Sequence, residues 1–150
     1  MAHYLTTVQT AWSLEQAFDY LAEFSNVADW DPGVSDASNL SPEPLELGAR
    51  FRVIASFAGR EIELVYETIE FERPNRVTLR ATTNTVTSLD TLTFEPGPGG
   101  GTAVTYDADL SLSGPLKLFD PLMGFAFRRI GDKARDGLAE RLSGRAPLPR

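Results

Sequence analysis

The stretch Ser88-Leu89-Asp90-Thr91-Leu92-Thr93-Phe94-Glu95, followed by Pro96-Gly97-Pro98-Gly99-Gly100-Gly101 and Thr102-Ala103-Val104-Thr105-Tyr106, decides the fold. Apolar and polar residues alternate on both sides of a glycine- and proline-rich run, as in two half-buried strands joined by a hairpin. The strands predicted are Ser88–Glu95 and Thr102–Leu112. The glycines do not make a phosphate loop, because such a loop must open a helix and the residues that follow here are strand-like.

Upstream, the same period continues. Phe51, Val53, Ala55 and Phe57 alternate with Arg50, Arg52, Ile54 and Ser56. A turn at Ala58-Gly59 leads to Ile62, Leu64 and Tyr66, interleaved with glutamates. The phase then slips, with Ile69 and Phe71 one residue out of register, which predicts a bulge near Thr68 or a strand covered on both faces. Arg73-Pro74-Asn75 turns the chain into a strand over Arg76–Asn84. Before all of these come a strand at Tyr4–Thr10 and a helix over about 14–24. The Ser13/Gln16 capping box and the spacing of Leu14, Ala17, Phe18, Leu21 and Phe24 mark that helix. A short helical turn follows and ends at Pro32.

Downstream of Ser113-Gly114-Pro115 the period becomes 3.6. Leu122, Met123, Ala126, Ile130, Lys133, Ala134, Gly137 and Leu138 fall on one face of a long C-terminal helix. It is entered through a shorter piece at Leu116–Phe119, and the tail 144–150, with two prolines, is expected to fray. One strand, two short helices, a run of antiparallel strands and one long helix make an α+β domain spanning residues 1–150. A strongly twisted sheet curls, and one helix is too narrow to fill its concave face. A cavity is expected between them, lined by the inward residues Phe51, Val53, Phe57, Leu64, Leu92 and Phe94.

Composition narrows the chemistry. The 150 residues include no Cys and one His, His3, which excludes thiolate sites and leaves little for Ser–His–Asp catalysis or a multi-His metal centre. No metal and no cofactor are expected. The net charge of −7 argues against nucleic acid as a partner. The charge is uneven: eight basic against four acidic residues from Pro115 onward give +4, leaving −11 for residues 1–114. Either the basic helix complements an acidic sheet, or it attracts an anionic partner. No apolar run is long enough for a membrane span and no signal peptide is evident, so the expected location is cytoplasmic, as a monomer or homodimer.

Asp90 is the sharpest candidate, because the alternation that turns Leu92 and Phe94 inward turns Asp90 inward too. An apolar cavity would raise its pKa into the range of a general acid or base. The alternative is that it reaches solvent at the rim or pairs with an arginine such as Arg80. Tyr66 and Tyr106 lie on the inward phases of their strands and could orient a ligand oxygen or move a proton with Asp90. Phe119, Met123 and Phe127, at the start of the last helix, are candidate wall or gate residues. Asp29 and Asp31 read as helix-end caps or surface charges.

The order of elements, the Asp29-Trp30-Asp31-Pro32-Gly33-Val34 stretch and the Gly99-Gly100-Gly101-Thr102-Ala103-Val104-Thr105-Tyr106 segment resemble the polyketide cyclase/dehydrase branch of the START/Bet v 1-like (SRPBCC) superfamily. The resemblance implies a helix-grip fold, a seven-stranded antiparallel sheet around a long C-terminal helix, with a deep cavity for lipids, sterols, polyketides or plant hormones. It also implies that Trp30 sits near the cavity mouth. Three functions follow as expectations: binding of a small hydrophobic molecule, metal-free cyclase/dehydratase chemistry using Asp90 with Tyr66 or Tyr106, or a protein-interaction domain. Fold alone does not choose among them.

Overall fold

Alternation in sequence becomes alternation in burial. In the computed structural model, which describes residues 2–41, 45–57, 59–113 and 120–146 (without the side chains of Phe57 and 120–125), Ser88, Asp90, Leu92 and Phe94 are buried. The residues between them are partly exposed. They belong to β6 (Val86–Pro96), which pairs antiparallel with β7 (Thr102–Leu112) so that Phe94 faces Val104 and Asp90 faces Ala108. The glycine run closes the hairpin through the Gly97 N–H, which donates to the Gly101 carbonyl at 2.9 Å.

The other strands are β1 (Ala2–Thr10), β2 (Val34–Asn39), β3 (Arg50–Phe57), β4 (Arg60–Glu72) and β5 (Arg76–Thr82). They form one curled, seven-stranded antiparallel sheet in the order β1-β7-β6-β5-β4-β3-β2. The expected bulge is present. Thr68 pairs with Leu79 and Glu70 with Thr78, leaving Ile69 as the extra residue. The shift turns Phe71 to the inner face, where it meets Phe18 edge-on at 5.3 Å.

The first helix, α1 (Leu14–Ala22), starts at the Ser13/Gln16 capping box and ends two residues before the expected boundary. Its buried Phe18 also packs edge-to-face with Phe94 at 5.3 Å and closes one end of the concave sheet. A short 3-10 turn (Phe24–Asn26) leads to α2 (Val27–Trp30), which ends at Asp31 in an extended conformation before Pro32.

The long helix α3 (Asp120–Ser143) lies against β1 and α2. Its inward stripe is narrower than the sequence predicts: Gly131, Ala134, Leu138 and Leu142 are buried, whereas Lys133 is exposed beside them. Two contacts demand glycine. A Cβ on Gly131 would stand 2.5 Å from the Tyr4 ring, and one on Gly137 would stand 1.8 Å from the Trp30 carbonyl oxygen. The end of α3 is tied to β1 by Thr10, whose hydroxyl donates to the Leu142 carbonyl at 2.7 Å. The Trp12 indole N–H donates to the Gly144 carbonyl at 2.9 Å, and the Arg141 guanidinium lies over the Trp12 and Tyr20 rings. The short piece expected at Leu116–Phe119 and the tail residues 147–150 lie outside the described residues.

Candidate functional site

The two ends of the concave sheet are filled differently. Under α1, Phe18, Phe94, Leu92 and Val77 meet with 0–1% exposure. Toward α3 a cavity of about 400 Å³ opens, within the size range of small-molecule sites. Its floor is Val53 and Leu64 from β3 and β4, with Tyr66, Tyr106 and Ala108 beside them. Its roof is Phe127, Ile130, Gly131 and Ala134 of α3. Phe24, Val27 and Asp31 close the side nearest α2, and the exposed Ser56 and Thr85 mark where it opens to solvent.

One polar network stands in this apolar hollow. The Tyr106 hydroxyl donates to Asp90 Oδ2 at 2.9 Å, and the Ser88 hydroxyl donates to Asp90 Oδ1 at 3.3 Å. The Tyr66 hydroxyl lies 2.8 Å from Ser88 Oγ. Since Ser88 commits its proton to Asp90, Tyr66 is the donor to Ser88. Asp90 is 5% exposed. Burial pushes its pKa up to about 7; the Tyr106 hydrogen bond opposes this and the nearby Asp31 adds to it. Burial, with Asp90 beside them, holds both tyrosines well above their ordinary value, so they stay protonated. Asp31 is raised as well, chiefly by burial, although the Gly33 N–H donates to its Oδ1 at 2.8 Å.

The structure therefore brings Asp90, Tyr66 and Tyr106 together with Val53, Leu64 and Phe127 around one hollow. It does not bring the other candidates there. Phe51, Leu92 and Phe94 are packed core, with Phe51 against Phe24 and Phe94 against Phe18. Trp30 is 3% exposed and stands edge-on to the Tyr106 ring at 5.6 Å, backing that tyrosine without lining the cavity. The side chains of Phe57, Phe119 and Met123 lie outside the described residues. Arg80 is exposed and pairs with Leu89, on the face of the sheet away from Asp90. Asp29 accepts from the Tyr20 hydroxyl, whereas Asp31 turns into the cavity.

Ser88 and Leu110 were missed, yet they lie on the inward phase, two residues from Asp90 and four from Tyr106. Extending the period-two count would have found them. Nothing in the local pattern marks Asp31, because its direction is set by the bond to Gly33. Outside the cavity, His3, Asp107 and Asp109 place one potential metal-ligating atom each within 4.8 Å of one another, with His3 Nε2 2.7 Å from Asp107 Oδ1. No helix among the described residues is long and apolar enough to cross a membrane.

A curled antiparallel sheet gripping one long helix above an apolar hollow defines the START/Bet v 1 helix-grip class. Solved structures of that shape align over nearly the whole chain. A START superfamily protein from Mycobacterium smegmatis matches at a TM-score of 0.73 with 14% identity, covering 95% of this chain and 97% of its own. A protein from Thermus thermophilus matches at 0.73 with 18% identity, covering 94% and 95%. A major latex-like protein of Panax ginseng matches at 0.61 with 12% identity, covering 94% and 97%. At such identities the likeness is one of fold. Among curated protein sequences none matches significantly. Residues 1–143 match the sequence profile of the family described as polyketide cyclase / dehydrase and lipid transport, and the chain belongs to that family.

Proposed function

We propose that the chain binds a small hydrophobic molecule between sheet and α3, in the manner of a carrier or receptor for a lipid, polyketide or sterol-like compound. The observation that carries this reading is the hollow of about 400 Å³ walled by Val53, Leu64, Phe24, Ile130 and Leu110. An apolar guest there removes its own surface and the lining from water, at roughly 25 cal/mol per Å² buried. Native mass spectrometry of freshly purified protein should reveal a co-purifying lipid-like species. Added Nile red should brighten, and Ala108→Leu, which grows into the hollow opposite Asp90, should abolish the brightening. A protein that carries nothing and leaves Nile red dark would instead be a protein-docking domain.

A second reading rests on Asp90 and Tyr106. With its pKa at about 7, Asp90 exchanges a proton near neutrality. In a cyclase/dehydratase reaction its carboxylate would take a proton from a carbon between two carbonyls. The resulting enolate carbon would bond to a third carbonyl of the same chain, and the new alkoxide would recover the proton from Asp90. Loss of a further α-proton with the hydroxyl then releases water. The cavity's main contribution would be to hold the chain folded. Asp90→Asn should abolish such turnover while leaving Nile red affinity largely intact; unchanged turnover removes Asp90 from the chemistry.

A further inference from the structure

The polar groups of the cavity have a direction. Tyr66 donates to Ser88, and Ser88 and Tyr106 donate to Asp90, so three hydroxyl protons are spent within one network that ends on a carboxylate. The third lining tyrosine, Tyr4, donates its hydroxyl proton to Asp132 at 2.7 Å, so what remains for a guest are lone pairs on the tyrosine oxygens and the carboxyl groups of Asp90 and Asp31. Two acidic side chains line the cavity, and among its described lining residues none is Lys, Arg or His. The remaining hydroxyls away from the tyrosines, those of Ser56 and Thr85, belong to exposed residues at the opening. The inner wall therefore offers acceptors and two acidic groups but no cation among its described residues, and it would leave a guest's carboxylate unpaired.

Deepening the binding reading above, and resting on it, we infer that the cavity selects an apolar molecule bearing a protonated amine. The ammonium sits between Asp31 and the Asp90 network, and the apolar body lies against Val53, Leu64 and Ile130. An ammonium offers three donors to the acceptor oxygens of this wall, and its charge favours the ionised form of Asp90. It also supplies the counter-charge that two buried carboxyl groups lack. The rings of Tyr66, Tyr106 and Phe24 also line the hollow, and the face of such a ring favours a cation over an anion. The surplus of −11 over residues 1–114, which form the whole sheet, biases arrival in the same direction.

Three probes with one apolar body test this: phenylbutylamine, phenylbutanol and phenylbutyrate, each titrated at neutral pH against Nile red on the full chain. The amine should displace Nile red about tenfold more tightly than the alcohol, the ratio expected for one charge-assisted contact, and the carboxylate should be weakest. In the Asp31→Asn/Asp90→Asn double variant the amine's tenfold advantage over the alcohol should disappear. A carboxylate as strong as the amine in the native chain, or an amine preference that survives in the double variant, overturns the inference while leaving hydrophobic binding standing. The native-chain ordering decides the matter if the double variant does not fold. If none of the three probes competes and Nile red itself does not bind, the binding reading fails and the inference fails with it.

Discussion

One strand, β6, runs through two different interiors. At Phe94 and Leu92 it lies under α1, where Phe18 reaches down to touch Phe94. Four residues earlier, at Asp90 and Ser88, the same face looks into the hollow beneath α3. The inward phase is identical along its length, and what differs is the opposing element. The first helix brings a ring that reaches the sheet, whereas α3 brings Gly131 and Ala134 between the larger Phe127 and Ile130, and the gap stays open. A cavity here is the product of small residues on the gripped helix as much as of large ones on the sheet.

Truncation should separate the two interiors most sharply. Phe94→Ala removes a ring that is 0% exposed and should cost about 3–5 kcal/mol, whereas Leu110→Ala, on the cavity wall, should cost less than about 2. Urea unfolding of both variants measures the gap, and equal losses would mean that the hollow is as tightly packed as the core.

Acidity tests the hollow end directly. Folded Asp90 titrates at about 7 against an ordinary 3.8, so between those values the folded state holds a proton that the unfolded chain has released. Stability should therefore be greatest below about pH 4 as far as this group is concerned, and fall as pH rises toward 7. At about 1.4 kcal/mol for each tenfold change in proton affinity, the loss is on the order of a few kcal/mol as an upper bound. Asp90→Asn should flatten most of this slope in thermal melts between pH 4 and 8, with Asp31, raised in the same sense, leaving a smaller residue. A variant with the full native slope would place the proton elsewhere.

The seam between α3 and its supports comes next. Gly137→Ala forces a methyl group against the Trp30 carbonyl and should cost about 1–3 kcal/mol by denaturant midpoint. Because Trp30 backs the Tyr106 ring, the same variant should also weaken Nile red binding. The smallest effect on stability, within about 1 kcal/mol, belongs to Ala108→Leu, which fills space that is already empty while abolishing ligand uptake.

These contrasts explain which features the sequence could disclose. Period two placed Asp90, Tyr66 and Tyr106 on the inner face, and the slipped phase at Ile69 announced the bulge. The resemblance anticipated the seven strands and the long helix. Periodicity states which way a side chain points, but not what stands opposite it. Phe51, Leu92 and Phe94 share their inward phase with Val53 and Tyr106, yet they are packed into the core and do not line the hollow. Asp31 was illegible for a related reason, since a carboxyl group at the end of a four-residue helix can face either way until Gly33 fixes it.

The approach of α3 to Tyr4 and Trp30 is limited by bare main chain at Gly131 and Gly137. At Gly137 main chain meets main chain, so the clearance there is set by parts that have no rotamers to offer. A slender guest slips beneath without disturbing anything, whereas one too thick for the space that Phe127 and Ile130 can give up must lift the whole rod. Thickness, more than length, is the dimension this protein measures.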